Sequence, residues 1–251
     1  MGIELGLTPD SRWDVALDEL AAATAGAGFT SLGLGLPRID ESTAGVLRDH
    51  HLRCGELLVL QVSDDADATL ARAERLATAA ALVEAEWVLT ILTVGLDEGT
   101  ARLVERCAAV VADAGARLAV EFTPICPIDS IALGLEVVEA AGHGAGVLVD
   151  TWHVERGPST WDDLARLPIE QIAYVQFDDA APPVSDDLMA ETMNRRRLPG
   201  DGAFDLDRFA TTLLERGWEG LVAAEVLIDP LDVPLPEHIQ SIHDATARYW
   251  R

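Results

Sequence analysis

Eight short apolar runs, separated by longer alanine- and leucine-rich amphipathic segments, predict an α/β chain folded as one (β/α)8, or TIM, barrel over residues 1–251. Two further observations agree with that class. The length is close to the ~250 residues of a typical barrel, and no linker, low-complexity tract or internal boundary interrupts the alternation. The turn after the first run, "TPDSRWD", also lacks the G-x-G-x-x-G of a doubly wound nucleotide-binding sheet.

In chain order the predicted strands are IELGL (3–7), SLGLGL (31–36), ELLVLQV (56–62) and WVLTILT (87–93). The second half supplies RLAVEF (117–122), GVLVD (146–150), IAYVQF (172–177) and GLVAAEV (220–226). Each is short, bounded by polar or glycine positions, and enriched in Val, Ile and Leu, as strands covered on both faces should be. Helical periodicity fills the gaps, for example in DVALDELAAATAGAGF (14–29) and EGTARLVERCAAVVADAGA (98–116). Gly28, Gly115 and Gly217 stand where helix C-caps are expected. The one long irregular stretch is residues 178–202, predicted as an enlarged loop after strand seven.

The charge balance narrows the function. Acidic residues number 43 and basic ones 18, a net charge of −25. Such a surface repels phosphate backbones and anionic bilayers, so neither nucleic acid nor membrane is an expected partner. No lysine occurs, which removes Schiff-base chemistry and the P-loop lysine. Cys54, Cys107 and Cys126 are odd in number and form no C-x-x-C, so they read as reduced thiols. With no signal-peptide pattern and no membrane-length apolar run, a cytoplasmic location is expected.

Polar residues interrupt the ends of the last four predicted strands. They are Glu121 in AVEF, Asp150 in VLVD, Gln176 in YVQF and Glu225 in AAEV. In this fold, strand C-termini converge on the active site. Gathering three carboxylates in one apolar setting costs many kcal/mol unless a cation offsets it, which points to a divalent metal. His153 follows Asp150 by three residues.

These residues, with R-x-x-P-G-x-G before the final strand, resemble the xylose isomerase-like barrels and, within them, the sugar (phosphate) isomerase/epimerase superfamily. That resemblance implies Glu121, Asp150, Gln176 and Glu225 as metal ligands. It implies His153 and Arg196 as groups contacting substrate oxygens, Arg196 standing three before Pro199, with Arg195 and Arg197 as rivals. The family's usual strand-seven ligand is histidine. Gln176 replaces a nitrogen with an amide oxygen, and the resulting oxygen set suits Mn²⁺ first, with Mg²⁺ or Co²⁺ as alternatives, better than Zn²⁺.

The expected activity is isomerisation or epimerisation of a sugar, cyclitol or related hydroxy-ketone through an enediolate. Glu121 and Glu225 are the candidate proton-transfer pair. Trp13, Phe122 and Trp152 are candidates for an apolar wall of the substrate pocket. A lyase or dehydratase would share the same first proton abstraction, and a non-catalytic partner subunit is the reading that Gln176 leaves open. Endonuclease IV-like DNA repair is excluded, because the early strand ends carry no histidine and the charge has the wrong sign. Homo-oligomer formation is implied by the resemblance alone.

Overall fold

The computed structural model describes residues 2–227 and 233–251. Eight parallel strands close into a barrel in the spatial order β1-β8-β7-β6-β5-β4-β3-β2. They are β1 (Glu4–Leu7), β2 (Ser31–Gly35), β3 (Arg53–Val62), β4 (Trp87–Leu92), β5 (Arg117–Glu121), β6 (Gly146–Asp150), β7 (Ile172–Phe177) and β8 (Leu221–Ala224). Each lies in a predicted run. β3 starts three residues earlier than predicted, because Arg53 and Cys54 pair with Ser31 and Leu32.

The helices are α1 (Leu17–Ala27), α2 (Thr43–Asp49), α3 (Ala66–Val83), α4 (Glu98–Asp113), α5 (Ile131–Ala141), α6 (Thr151–Arg156), α7 (Trp161–Arg166), α8 (Leu188–Arg195), α9 (Leu206–Leu214) and α10 (Leu235–Thr246). Acidic N-caps start several of them. Asp65 accepts from Ala68 N at 3.0 Å and Asp97 from Thr100 N at 2.8 Å, satisfying amides that the first turn leaves unpaired.

Strand side chains alternate between two apolar layers. Val88, Val120, Val149, Val175 and Val222 face outward, in the core between strands and helices. Leu89, Ala119, Leu148, Tyr174 and Ala223 point inward and fill the barrel. Two residues further along from the last four of these come Glu121, Asp150, Gln176 and Glu225. The period of two that builds the inner layer therefore also aims these four side chains into the C-terminal mouth. The register agrees: Asp150 pairs with Gln176, and Gln176 with Ala223.

The connection after β7 departs from the irregular loop expected. It contains α8, started by Asp187, whose carboxylate accepts from Ala190 N at 3.0 Å. Asp179–Ala180 and Arg196–Arg197 then form a two-residue antiparallel ladder that draws its two ends together. Two methionines and a polar majority hid the helical period of 188–195, because that helix packs little of its surface into the core.

Candidate active site

β6 shows how local sequence builds the site. Asp150 ends the strand and is also the N-cap of α6, its Oδ1 accepting from the backbone N of His153 at 3.1 Å. An N-cap bonds the third helical residue, so D-x-x-H is the spacing that places the imidazole beside the carboxylate. His153 Nε2 lies 3.0 Å from Glu121 Oε1 on the neighbouring strand and 3.9 Å from Asp150 Oδ2. Glu121, Asp150 and His153 offer donor atoms all within 4.8 Å of one another.

Arg196 ties this group to the other half of the cluster. Its guanidinium is buried, and one nitrogen pairs with Asp150 Oδ2 and Glu225 Oε2, each at 3.0 Å, and with Asp178. The remaining nitrogens donate to Thr192 Oγ1 at 3.1–3.2 Å. Of the rivals, Arg195 pairs with Glu191 at 2.9 Å, and Arg197 donates to the Arg196 carbonyl at 2.9 Å. Gln176 Nε2 donates to Glu225 Oε1 at 3.4 Å.

One cation shared among several carboxylates divides their titration. Burial opposes the charge of Asp150, but Arg196 and His153 together hold its pKa below the usual value. Burial pushes Asp178 up to about 7 despite Arg196, with Asp150 adding repulsion. Burial likewise raises Glu225 well above the carboxylate range. The His153 pKa is raised from its ordinary value: burial lowers it, but Asp150 and Glu121 outweigh that.

Two atoms bear on metal binding. Gln176 Oε1 and His153 Nδ1 are buried and have no hydrogen-bond partner among the described residues. An orphaned amide oxygen beside excess carboxylate charge is what a divalent cation would satisfy, so the donor set fits such an ion. Glu121, Asp150, Gln176 and Glu225 are the residues that would hold it, with His153 Nε2 a further donor. The histidine thus lies nearer the ligand group than the sequence reading placed it.

The aromatic candidates take different places. Trp152 is fully buried, edge-on to His153 at 5.4 Å and with the Arg196 guanidinium 5.9 Å over its ring, so it backs these two residues. Phe122 alternates outward from Glu121 and lies against Gly134 of α5 in the strand–helix core. Trp13 packs edge-on against His238 of α10 at 5.5 Å. Among the described residues, neither Phe122 nor Trp13 contacts the carboxylate cluster.

Sequence reasoning overlooked Glu56 and Tyr174. Asp179 organises P-G-x-G. Its carboxylate accepts from Gly200 N at 3.0 Å, Gly202 N at 2.9 Å, Phe204 N at 3.0 Å and Ala180 N at 2.8 Å. A side chain at Gly202 would place Cβ 2.1 Å from Asp179 Oδ1, so only glycine fits the turn as drawn. The acidic residue inside the apolar GELLVL run was the available signal for Glu56. A cavity of about 720 Å³ lined by Arg53, Trp87 and Arg117 lies at the opposite, N-terminal end of the strands, away from this chemistry.

The model of the xylose isomerase-like TIM barrel family matches residues 3–247. The chain belongs to that family. This xylose isomerase-like barrel is 31% identical over 117 residues to an inosose isomerase of Halalkalibacterium halodurans, a match covering 45% of this chain and 40% of that protein. It is 32% identical over 84 residues to a 3-dehydroshikimate dehydratase of Pseudomonas aeruginosa, covering 34% of this chain and 13% of that protein. The matched stretches thus span well under two thirds of either curated relative. A solved structure described as the IOLI protein with a binding zinc atom superposes on the xylose isomerase-like barrel with a TM-score of 0.83. It is 17% identical and covers 98% of this chain and 97% of that one, a likeness of fold. Among the described residues, no helix of the barrel is long and apolar enough to cross a membrane.

Proposed function

We infer that the chain is a divalent-metal-dependent isomerase or epimerase of a sugar, cyclitol or related hydroxy-ketone, residues 1–251 acting as one catalytic barrel. The observation that carries this reading is the Glu121–Asp150–His153 group at the mouth, its donor atoms within 4.8 Å of one another. Identity to an inosose isomerase supports the substrate class. The oxygen-rich donor set, Glu121, Asp150, Gln176 and Glu225, favours Mn²⁺ over softer-site metals.

The chemistry supplied by a bound cation is polarisation of a ketone oxygen, which acidifies the adjacent C–H. The chain provides the rest. Glu121 and Glu225 come from strands on opposite sides of Asp150 and Gln176, and their side chains keep 12% and 15% exposure while Asp150 keeps none. They are the carboxylates within reach of a substrate, one to take a proton and the other to return it. His153 orients Glu121 through its Nε2 contact, and Arg196 fixes Asp150 and Glu225 from the buried side. Trp152 keeps water from the back of these groups.

The test is metal content by elemental analysis of protein purified without chelator, wild type beside Asp150→Ala, followed by incubation with inososes and ketohexoses in D2O. The expected result is about one ion per chain, lost in the variant, and deuterium at the carbon next to the carbonyl. A wild type that stays metal-free after Mn²⁺, Mg²⁺ and Co²⁺ are offered would overturn the reading. The match to a dehydratase favours one alternative, a lyase using the same proton abstraction. An unsaturated product in place of an isomer would select it.

A further inference from the structure

Below the cluster lies a second buried carboxyl with different surroundings. Glu56, on β3, is 1% exposed. One of its oxygens accepts from the Thr8 hydroxyl at the end of β1, and the other from the Tyr174 hydroxyl on β7, across the barrel. Gly33 of β2 completes the cradle, since a Cβ there would stand 2.6 Å from Glu56 Oε1. Tyr174 is the inward residue directly beneath Gln176 on the same strand. Both Glu56 oxygens are thus engaged, in a space cut to their size.

Among the described residues, the cradle offers no positive charge. From β1 and β2 it offers only Thr8 and Gly33, and from its own strand the Cys54 thiol. From β5 and the end of β8 the nearby charges are Glu121 and Glu225, and from β7 the titratable group is Tyr174. Among the described residues no arginine or histidine pairs with Glu56, whereas Asp150, Asp178 and Glu225 all share Arg196. Two hydroxyl donors do not replace the hydration of a carboxylate, so burial raises Glu56 to about 7, opposed by the Thr8 and Tyr174 hydrogen bonds. A cation arriving at the mouth would supply a positive charge that the cradle itself does not.

We propose that Glu56 is a positioning residue for the metal site, an uncompensated carboxyl held by Thr8 and Tyr174 one layer below the ligands, whose negative charge strengthens cation binding at the mouth. The inference rests on the metal-dependent reading above. It acts in both directions. Ionised Glu56 deepens the negative potential where the ion sits, and an ion in place favours loss of the Glu56 proton. A purely structural strut would tie β1, β3 and β7 together without this dependence.

The experiment measures Mn²⁺ affinity by titration calorimetry at pH 6 and pH 8 for wild type, Glu56→Gln and Tyr174→Phe. Glu56→Gln keeps the shape and an acceptor oxygen but removes the charge. The expected result is weakening of at least about tenfold at pH 8 and little difference at pH 6, where the wild-type carboxyl is largely protonated. Tyr174→Phe removes one donor and is expected to move the rise in wild-type affinity to higher pH, which serves if Glu56→Gln does not fold. Equal affinities at both pH values, or a loss of the same size at both, would overturn the proposal while leaving the metal site intact. Absence of Mn²⁺ binding in the wild type at either pH would overturn both.

Discussion

Arg196 serves three carboxylates, Asp150, Asp178 and Glu225, through one guanidinium nitrogen. Replacing it by leucine leaves three buried carboxylates without their cation. Arg196→Leu is expected to cost about 3–5 kcal/mol in chemical denaturation, and Asp178→Asn in the same chain to recover part of it. Glu56 gives a second prediction, with a sign that can be worked out. Its pKa rises from the ordinary 4.5 to about 7 on folding. Between those values the native state holds a proton that the unfolded chain has released, so stability falls as pH rises. Glu56→Gln removes this term. Measured without added metal, the stability of the variant relative to wild type should therefore increase from pH 4.5 to pH 8, by on the order of 3 kcal/mol. Asp150, Gln176 and Glu225 were legible from sequence because each breaks an apolar run at its end. Glu56 was not, since it sits near the start of its run and its partners come from β1 and β7, which only barrel closure brings near.

At the scale of elements, strands were the clearest part of the sequence and the β7–α9 connection the least clear. A strand covered on both faces announces itself as a continuous apolar run. α8 has no such stripe, and the turn that follows it, residues 200–204, is held by one carboxylate serving four backbone amides. Asp179→Ala should therefore lower stability by about 2 kcal/mol or more and open residues 196–204 to limited proteolysis. Gly202→Ala should act in the same direction, by about 1–3 kcal/mol, because its new Cβ displaces the Asp179 carboxylate. D-x-x-H was readable as a pair of chemical groups. That it is also a strand end and a helix cap emerged from the backbone of 150–153. The position of Phe122 follows from the same alternation that aims Glu121 inward, whereas Trp13 lies in the loop between β1 and α1. Aromatic character alone did not reveal which way each ring turns.

For the whole molecule, the metal-dependent reading proposed above makes folding and metal binding one linked equilibrium, because carboxylates are in excess at the mouth. Mn²⁺ at a hundred times its dissociation constant should add about 2.7 kcal/mol to stability. For a chain of this size that raises Tm by roughly 5–10 °C, reversed by chelator and absent in Asp150→Ala. Arg196 enters the cluster from the far side of a narrow neck, where Asp179 and Ala180 pair with Arg197 and Arg196, and Ala181 N donates to the Arg195 carbonyl at 3.2 Å. The chain leaves the barrel and returns to it at almost the same point. Residues 183–190 between these ends, with Val184 and Met189 turned to solvent, can be exchanged like an attachment on a fixed mount.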